Sequence, residues 1–306
     1  MQESNAFCDK GSVVTGTPEA SLTYGYYPGC SAHATAQEYD ASVKAVFGAL
    51  GLKLVEIEDW NCCGASSAHN LSHNLSVGLP ARNLALIEQS GLETVAPCAA
   101  CYNRLRVAQE EIAAHPDEFG WLGEALGGPL QGNAVVRSPI SIMVEDVGLE
   151  RIAAHVKRPL MGLKVVSYYG CLLARPRSIS ELADTEHPYE LDDIMRTLGA
   201  EPLTWSYAVD CCGGSLSISR SDVARRMTQT IVDAARATGA HAIITACPLC
   251  QTNLEMRQSG KGQAKMPALY FTEAMGLAFD LPDTDKWWKK HLVNPRPMLS
   301  KLGLVA

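Results

Sequence analysis

The 306-residue chain has no run of about 18 apolar residues, the length a membrane-spanning helix needs. It has no excess of positive charge. Its 26 Lys and Arg against 33 Asp and Glu give a net charge of −7, which argues against nucleic-acid binding through a basic face. Neither G-x-G-x-x-G nor G-x-x-x-x-G-K-[ST] occurs, so no nucleotide- or flavin-binding phosphate loop is expected. The ferredoxin run C-x2-C-x2-C-x3-C is missing as well. The opening "MQESNAFCDKGSVVTGTPEAS" has neither a basic stretch nor an apolar core. Residues 1–21 are therefore expected to be a polar tail and not a secretory signal, and the protein to be cytoplasmic.

Cysteine, by contrast, is abundant, with eleven in the chain. A chain of this length, 47% hydrophobic, can build its own core without disulfides, so reduced thiols used as metal ligands or in redox work are expected. Ten of them form two sets. Cys30, Cys62, Cys63, Cys98 and Cys101 are spaced C-x31-CC-x34-C-x2-C, and Cys171, Cys211, Cys212, Cys247 and Cys250 are spaced C-x39-CC-x34-C-x2-C. Only Cys8 is left over, a thiol of the tail.

The likeness extends past cysteine. "YYPGC" answers "SYYGC", and "GLETVAPCAACYNRL" answers "GAHAIITACPLCQTNL". A pattern P-x5-E-x2-G-L follows each C-x2-C, at Pro139, Glu145, Gly148, Leu149 and at Pro267, Glu273, Gly276, Leu277. The chain reads as an internal duplication, with a first domain over 22–160 and a second over 161–306.

Within each half, apolar runs alternate with helical periodicity. "LTYGYYPGC", "LKLVEI" and "ETVAPC" are strand candidates in the first half; "LKVVSYYGC", "EPLTWSYAV" and "HAIITAC" answer them in the second. Strand–helix–strand–helix–strand order implies right-handed crossovers and a parallel sheet. The expected fold is α/β, two duplicated domains with Rossmann-like cores and the cysteines at the C-terminal ends of the strands. Ligands of open α/β sheets bind at that edge.

A structural zinc takes four ligands, as does an ordinary cubane iron–sulfur cluster. Each set here offers five. Neighbouring cysteines, with Cα atoms about 3.8 Å apart, suit two adjacent irons better than one metal. That favours an iron–sulfur cluster of unusual shape, with zinc in one set as the minor alternative.

Both sets, with all ten cysteines, resemble the CCG domains of the HdrB family of heterodisulfide reductase subunits, over residues from about 22 to the end. The resemblance implies a noncubane [4Fe-4S] cluster on each five-cysteine set. It further implies a disulfide held and split between the two clusters, with an HdrC-like ferredoxin-type subunit and an HdrA-like flavoprotein as partners. "NCCGASSAHN", "GLPARNLAL" and "VNPRPML" look more like bacterial members. Gly64 stands where the methanogen enzyme tends to have Pro. A sulfur-oxidation system with a lipoyl-carrying protein is therefore the expected setting, and a non-catalytic electron-transfer subunit the alternative.

His33 and His69 lie near cysteine groups and are candidates to donate protons or hydrogen bonds there, although a structural role is the more ordinary one. The tyrosines of "YGYY" and "SYYG" are expected in the sheet core. "DKWWKKH" is either an exposed docking segment or a C-terminal helix with its tryptophans turned inward.

Overall fold

The computed structural model describes residues 22–65, 68–259 and 264–306. Cys8 lies outside the described residues.

Two four-stranded sheets follow one another along the chain. The first holds β1 Thr23–Tyr26, β2 Lys53–Glu56, β3 Thr94–Val95 and β4 Val136–Arg137 in the order β2-β1-β3-β4. The second holds β5 Lys164–Tyr168, β6 Glu201–Pro202, β7 Ala242–Thr245 and β8 Ala268–Tyr270 in the order β6-β5-β7-β8. Every pairing is parallel. The duplicated α/β architecture is as expected. All four residues of β7, "AIIT", are buried, as a strand covered on both faces must be.

The chain leaves the central strand (β1 or β5) for one side, then crosses over it to the other. This reversal makes a crevice at the C-terminal ends of β1 and β3, and of β5 and β7. Helices cover the sheets with spaced apolar faces. Gln37–Ala49 buries Tyr39, Val43, Val46 and Phe47, and Ser221–Ala237 buries Ala224, Thr228, Ile231, Val232 and Ala235.

Three sequence expectations need correction. Each sheet has a fourth strand, β4 or β8, where the sequence pattern predicts three. The pattern P-x5-E-x2-G-L does not mark equivalent positions. Val95 pairs with Arg137 and Ile244 with Leu269, and Val95 and Ile244 each stand three residues before a C-x2-C. Pro139 falls two residues after Arg137, whereas Pro267 falls two before Leu269, so the two patterns are four residues out of register. Strand pairing sets the equivalence, not the matching letters. Lastly, "EPLTWSYAV" is a strand only at Glu201–Pro202. Beyond Leu203 the Trp205 indole donates to the Ser167 carbonyl at 2.8 Å, and the Ala208 carbonyl accepts from the Tyr169 and Gly170 N–H groups just past β5.

The halves are joined by polar contacts. Asn103 donates to the carbonyls of Leu172 and Arg175 at 3.1 and 2.7 Å, and Tyr102 donates to that of Ile179. Arg137 Nε lies 2.8 Å from Glu181, and Ser42 Oγ lies 2.7 Å from Thr272 Oγ1. Trp287 and Trp288 are buried, which settles "DKWWKKH" as packed inward. Among the described residues no helix is long and apolar enough to cross a membrane.

Candidate metal centre

Each half brings its five cysteines to the crevice. Cys30 lies in the short helix Gly29–His33 directly after β1, and Cys171 opens Cys171–Ala174 after β5. Cys98 and Cys247 are the N-caps of helices Ala99–Ala114 and Pro248–Met256, which carry Cys101 and Cys250 one turn in. The adjacent pairs stand on longer loops, several residues past β2 and β6.

The sulfurs form a string in each half. Cys30 and Cys62 are 3.7 Å apart, and Cys63 and Cys101 are 3.4 Å apart. All ten are free thiols; those of Cys62 and Cys63 interact as neighbours, as do those of Cys101 and Cys98. The second string runs in the same order: Cys171 with Cys211, Cys212 with Cys250 at 3.4 Å, Cys250 with Cys247. Adjacency has a purpose visible here. One sulfur of each pair faces in and the other faces out: Cys63 and Cys212 are buried, Cys62 is exposed and Cys211 half-buried.

Glycine admits this crowding. Gly29 and Gly170 have φ of +68° and +67°, and a Cβ on them would meet Cys101 Sγ at 2.7 Å and Cys250 Sγ at 3.0 Å. The pair loops are fastened alike. Tyr27 donates to the Asn61 carbonyl at 2.7 Å and Tyr168 to that of Asp210 at 2.6 Å, each immediately before a Cys-Cys. The Gly64 and Gly213 N–H groups donate to Cys62 and Cys211 at 3.4 and 3.3 Å. Asn83 exchanges two bonds of 2.9 Å with the Asn61 backbone, while Asn253 donates to the Cys212 carbonyl at 3.2 Å and to its sulfur at 3.7 Å.

Crowding sorts the protons. Hydrogen bonding with Cys30 and then with Cys63 lowers the Cys62 thiol, and bonding with Cys62 raises the Cys30 thiol. Cys98 is lowered by its bond from Cys101, and Cys101 is raised by its bonds to Cys63 and Cys98. Cys211 is lowered by Cys171 and Cys212 by Cys250, while Cys171 and Cys250 are themselves raised. Five thiols in contact cannot all ionise unless cationic centres stand among them. Among the described residues no three Cys, His, Asp or Glu side chains converge as the ligands of one ion do. A string of five soft thiolate donors fits a polynuclear, thiolate-bound group.

Of the histidines, His33 stands at the rim. Its Nε2 is 3.4 Å from Glu56, its ring is 5.2 Å from Trp60, and its side chain is half exposed. The His69 side chain lies outside the described residues. The tyrosines of "YGYY" and "SYYG" are buried as expected, and two of them fasten the cysteine loops. Sequence reasoning passed over Asn83, Asn253 and Tyr39, whose roles come from tertiary contact. It also passed over His291, fully buried between Glu255 at 2.9 Å and Glu273 at 3.0 Å.

Residues 24–106 and 165–255 each match the family described as CCG, cysteine-rich domain. The chain belongs to that family. It is 32% identical, over 92% of its length and 99% of the relative's, to an 8-methylmenaquinol:fumarate reductase membrane anchor subunit from Wolinella succinogenes. It is 26% identical to a heterodisulfide reductase HdrB-like protein of Archaeoglobus profundus, over 84% of this chain and 90% of that one. It is 24% identical to the HdrB component of a ferredoxin/F(420)H(2)-dependent CoB-CoM heterodisulfide reductase of Methanosarcina acetivorans, over 86% and 91%. A crystal structure of a hypothetical protein from Helicobacter pylori shares the fold, with a TM-score of 0.66 at 12% identity, over 91% of this chain and 53% of that one.

Proposed function

We propose that this CCG-family protein is the iron–sulfur redox subunit of a heterodisulfide-reductase-like complex, carrying one noncubane [4Fe-4S] cluster on each five-cysteine set. It makes or breaks a disulfide in two one-electron steps. The observation that carries this reading is the pair of like-ordered sulfur strings, each with its single cysteine and the outer member of its Cys-Cys pair turned toward solvent.

When bound, such clusters supply one-electron transfer and iron sites that accept sulfur. The chain's own residues supply the rest. Cys63, Cys98, Cys101, Cys212, Cys247 and Cys250 make the buried base of each site. Cys30, Cys62, Cys171 and Cys211 form edges that a sulfur substrate can reach. Tyr27 and Tyr168 hold the pair loops against the sheet. His33 is the candidate proton donor at the first edge. The partners in this reading are an HdrC-like ferredoxin-type subunit, an HdrA-like flavoprotein and a disulfide or dithiol substrate, with a lipoyl-carrying protein among the candidates. The potentials of substrate and partner set the direction.

Iron, sulfide and zinc per chain, measured on anaerobically purified protein, test the cofactor. About eight irons without zinc are expected; about four irons and one zinc would make one set structural. Reduction of lipoyl and coenzyme disulfides by the iron-loaded complex tests the chemistry.

The likeness to the Wolinella subunit favours a second reading, an electron-carrying subunit of a quinol-linked reductase without a disulfide substrate of its own. Fumarate reduction by the intact complex, with no disulfide reduction, would select it.

A further inference from the structure

We propose that Tyr39 is a positioning residue that ties the two C-x2-C loops together and sets the coupling between the metal groups they hold. The coupling rests on the iron–sulfur reading above; the tie between the loops does not.

Tyr39 belongs to a first-half helix, Gln37–Ala49, and is only 2% exposed. Its hydroxyl lies 3.2 Å from the Pro97 carbonyl and 3.2 Å from the Ala246 carbonyl. These carbonyls hold equivalent positions in the two halves, each immediately before the first cysteine of a C-x2-C, Cys98 and Cys247. One phenolic proton is therefore shared between two acceptors, one from each cysteine loop. Each carbonyl oxygen also shares a peptide plane with the nitrogen of the following cysteine, so a shift of the oxygen moves the cysteine backbone with it.

The ring itself is held from the second half. Tyr39 stacks on Tyr270 with centroids 4.1 Å apart and planes 8° apart. Ser42, three residues along the same helix, meets Thr272 at 2.7 Å. The phenol is thus clamped by second-half residues while it reaches both loops. Without the hydroxyl, two buried carbonyls would face each other with no donor between them, and the loops would lose their common partner.

The test is Tyr39→Phe in the full chain, purified anaerobically beside wild type, with Tyr270→Phe for comparison. Among the described residues the buried Tyr270 hydroxyl has no hydrogen-bond partner, so its loss removes no link between the loops. In Tyr39→Phe, amide exchange should rise about tenfold in 94–98 and 243–247 together, as expected when a shared buried bond is lost. Iron per chain should stay at the wild-type level, and the EPR splitting between the two reduced groups should change. Tyr270→Phe should show none of these effects. Unchanged exchange in either loop, or an EPR spectrum identical to wild type, would overturn the proposal. A wild-type protein without iron would overturn the cofactor reading instead, and the exchange measurement would still decide the role of Tyr39.

Discussion

Gly29 lies so close to Cys101 that a Cβ built upon it would stand 2.7 Å from the sulfur. Its counterpart Gly170 leaves 3.0 Å to Cys250. Gly29→Ala should displace Cys101, add roughly 1–2 kcal/mol of strain from the left-handed backbone, and lower iron per chain by about half. Gly170→Ala should do the same to a lesser degree. Gly91→Ala is the control, since its φ is +64° with nothing within 4 Å of the new Cβ. It should lose stability and keep its iron. Iron analysis with thermal melts reads all three.

Cys62→Ser and Cys211→Ser each remove the outer sulfur of one pair. Either replacement should impair one metal group and abolish turnover, while the other set stays loaded. Iron content with a disulfide-reduction assay checks this. Full activity in both variants would sink the paired-site mechanism.

Thiol labelling should report the order of exposure. Cys62 is exposed, and its thiol is lowered by hydrogen bonding with Cys30 and Cys63. Reactivity follows exposed thiolate. Iodoacetamide should therefore modify Cys62 before any of the other nine set cysteines in metal-free protein, as read by peptide mass spectrometry. Metal loading should suppress that modification.

His291 should govern stability at alkaline pH. Burial opposes its charge, but Glu273 and Glu255 prevail and push its pKa from 6.5 up to about 11. The raised value means that the stabilisation is complete below the unfolded value of 6.5 and is lost as pH rises toward about 11. His291→Ala strands two buried carboxylates and should cost about 3–5 kcal/mol at neutral pH. Denaturant melts between pH 6 and 11 should show the wild-type advantage shrinking with pH.

The cysteine arithmetic was legible because both halves repeat a single cysteine, an adjacent pair and a C-x2-C, with the same 34-residue gap between pair and C-x2-C. The strands before Cys30, Cys98, Cys171 and Cys247 were legible because each is a short run rich in β-branched and aromatic residues that ends just before a cysteine. β4 and β8 were hidden because each is only two or three residues long and no cysteine follows to mark its end. The P-x5-E-x2-G-L match misled because letters can coincide where backbone pairing does not. Tyr39 could not be read at all. Nothing local distinguishes a core tyrosine from one whose hydroxyl meets a carbonyl 207 residues away.

The contacts across the two halves run in both directions, from Asn103, Tyr102 and Tyr39 one way and from Ser178 to Glu110 and Lys290 to Gln37 the other. Neither repeat therefore has a complete exterior of its own. A chain severed within 156–163 would yield two fragments, each with a whole sheet and one five-cysteine set but with a wet seam of unpaired donors and acceptors. Such fragments should find one another again when mixed. The duplication has become a single indivisible body, and its two sites cannot drift apart on the connecting segment.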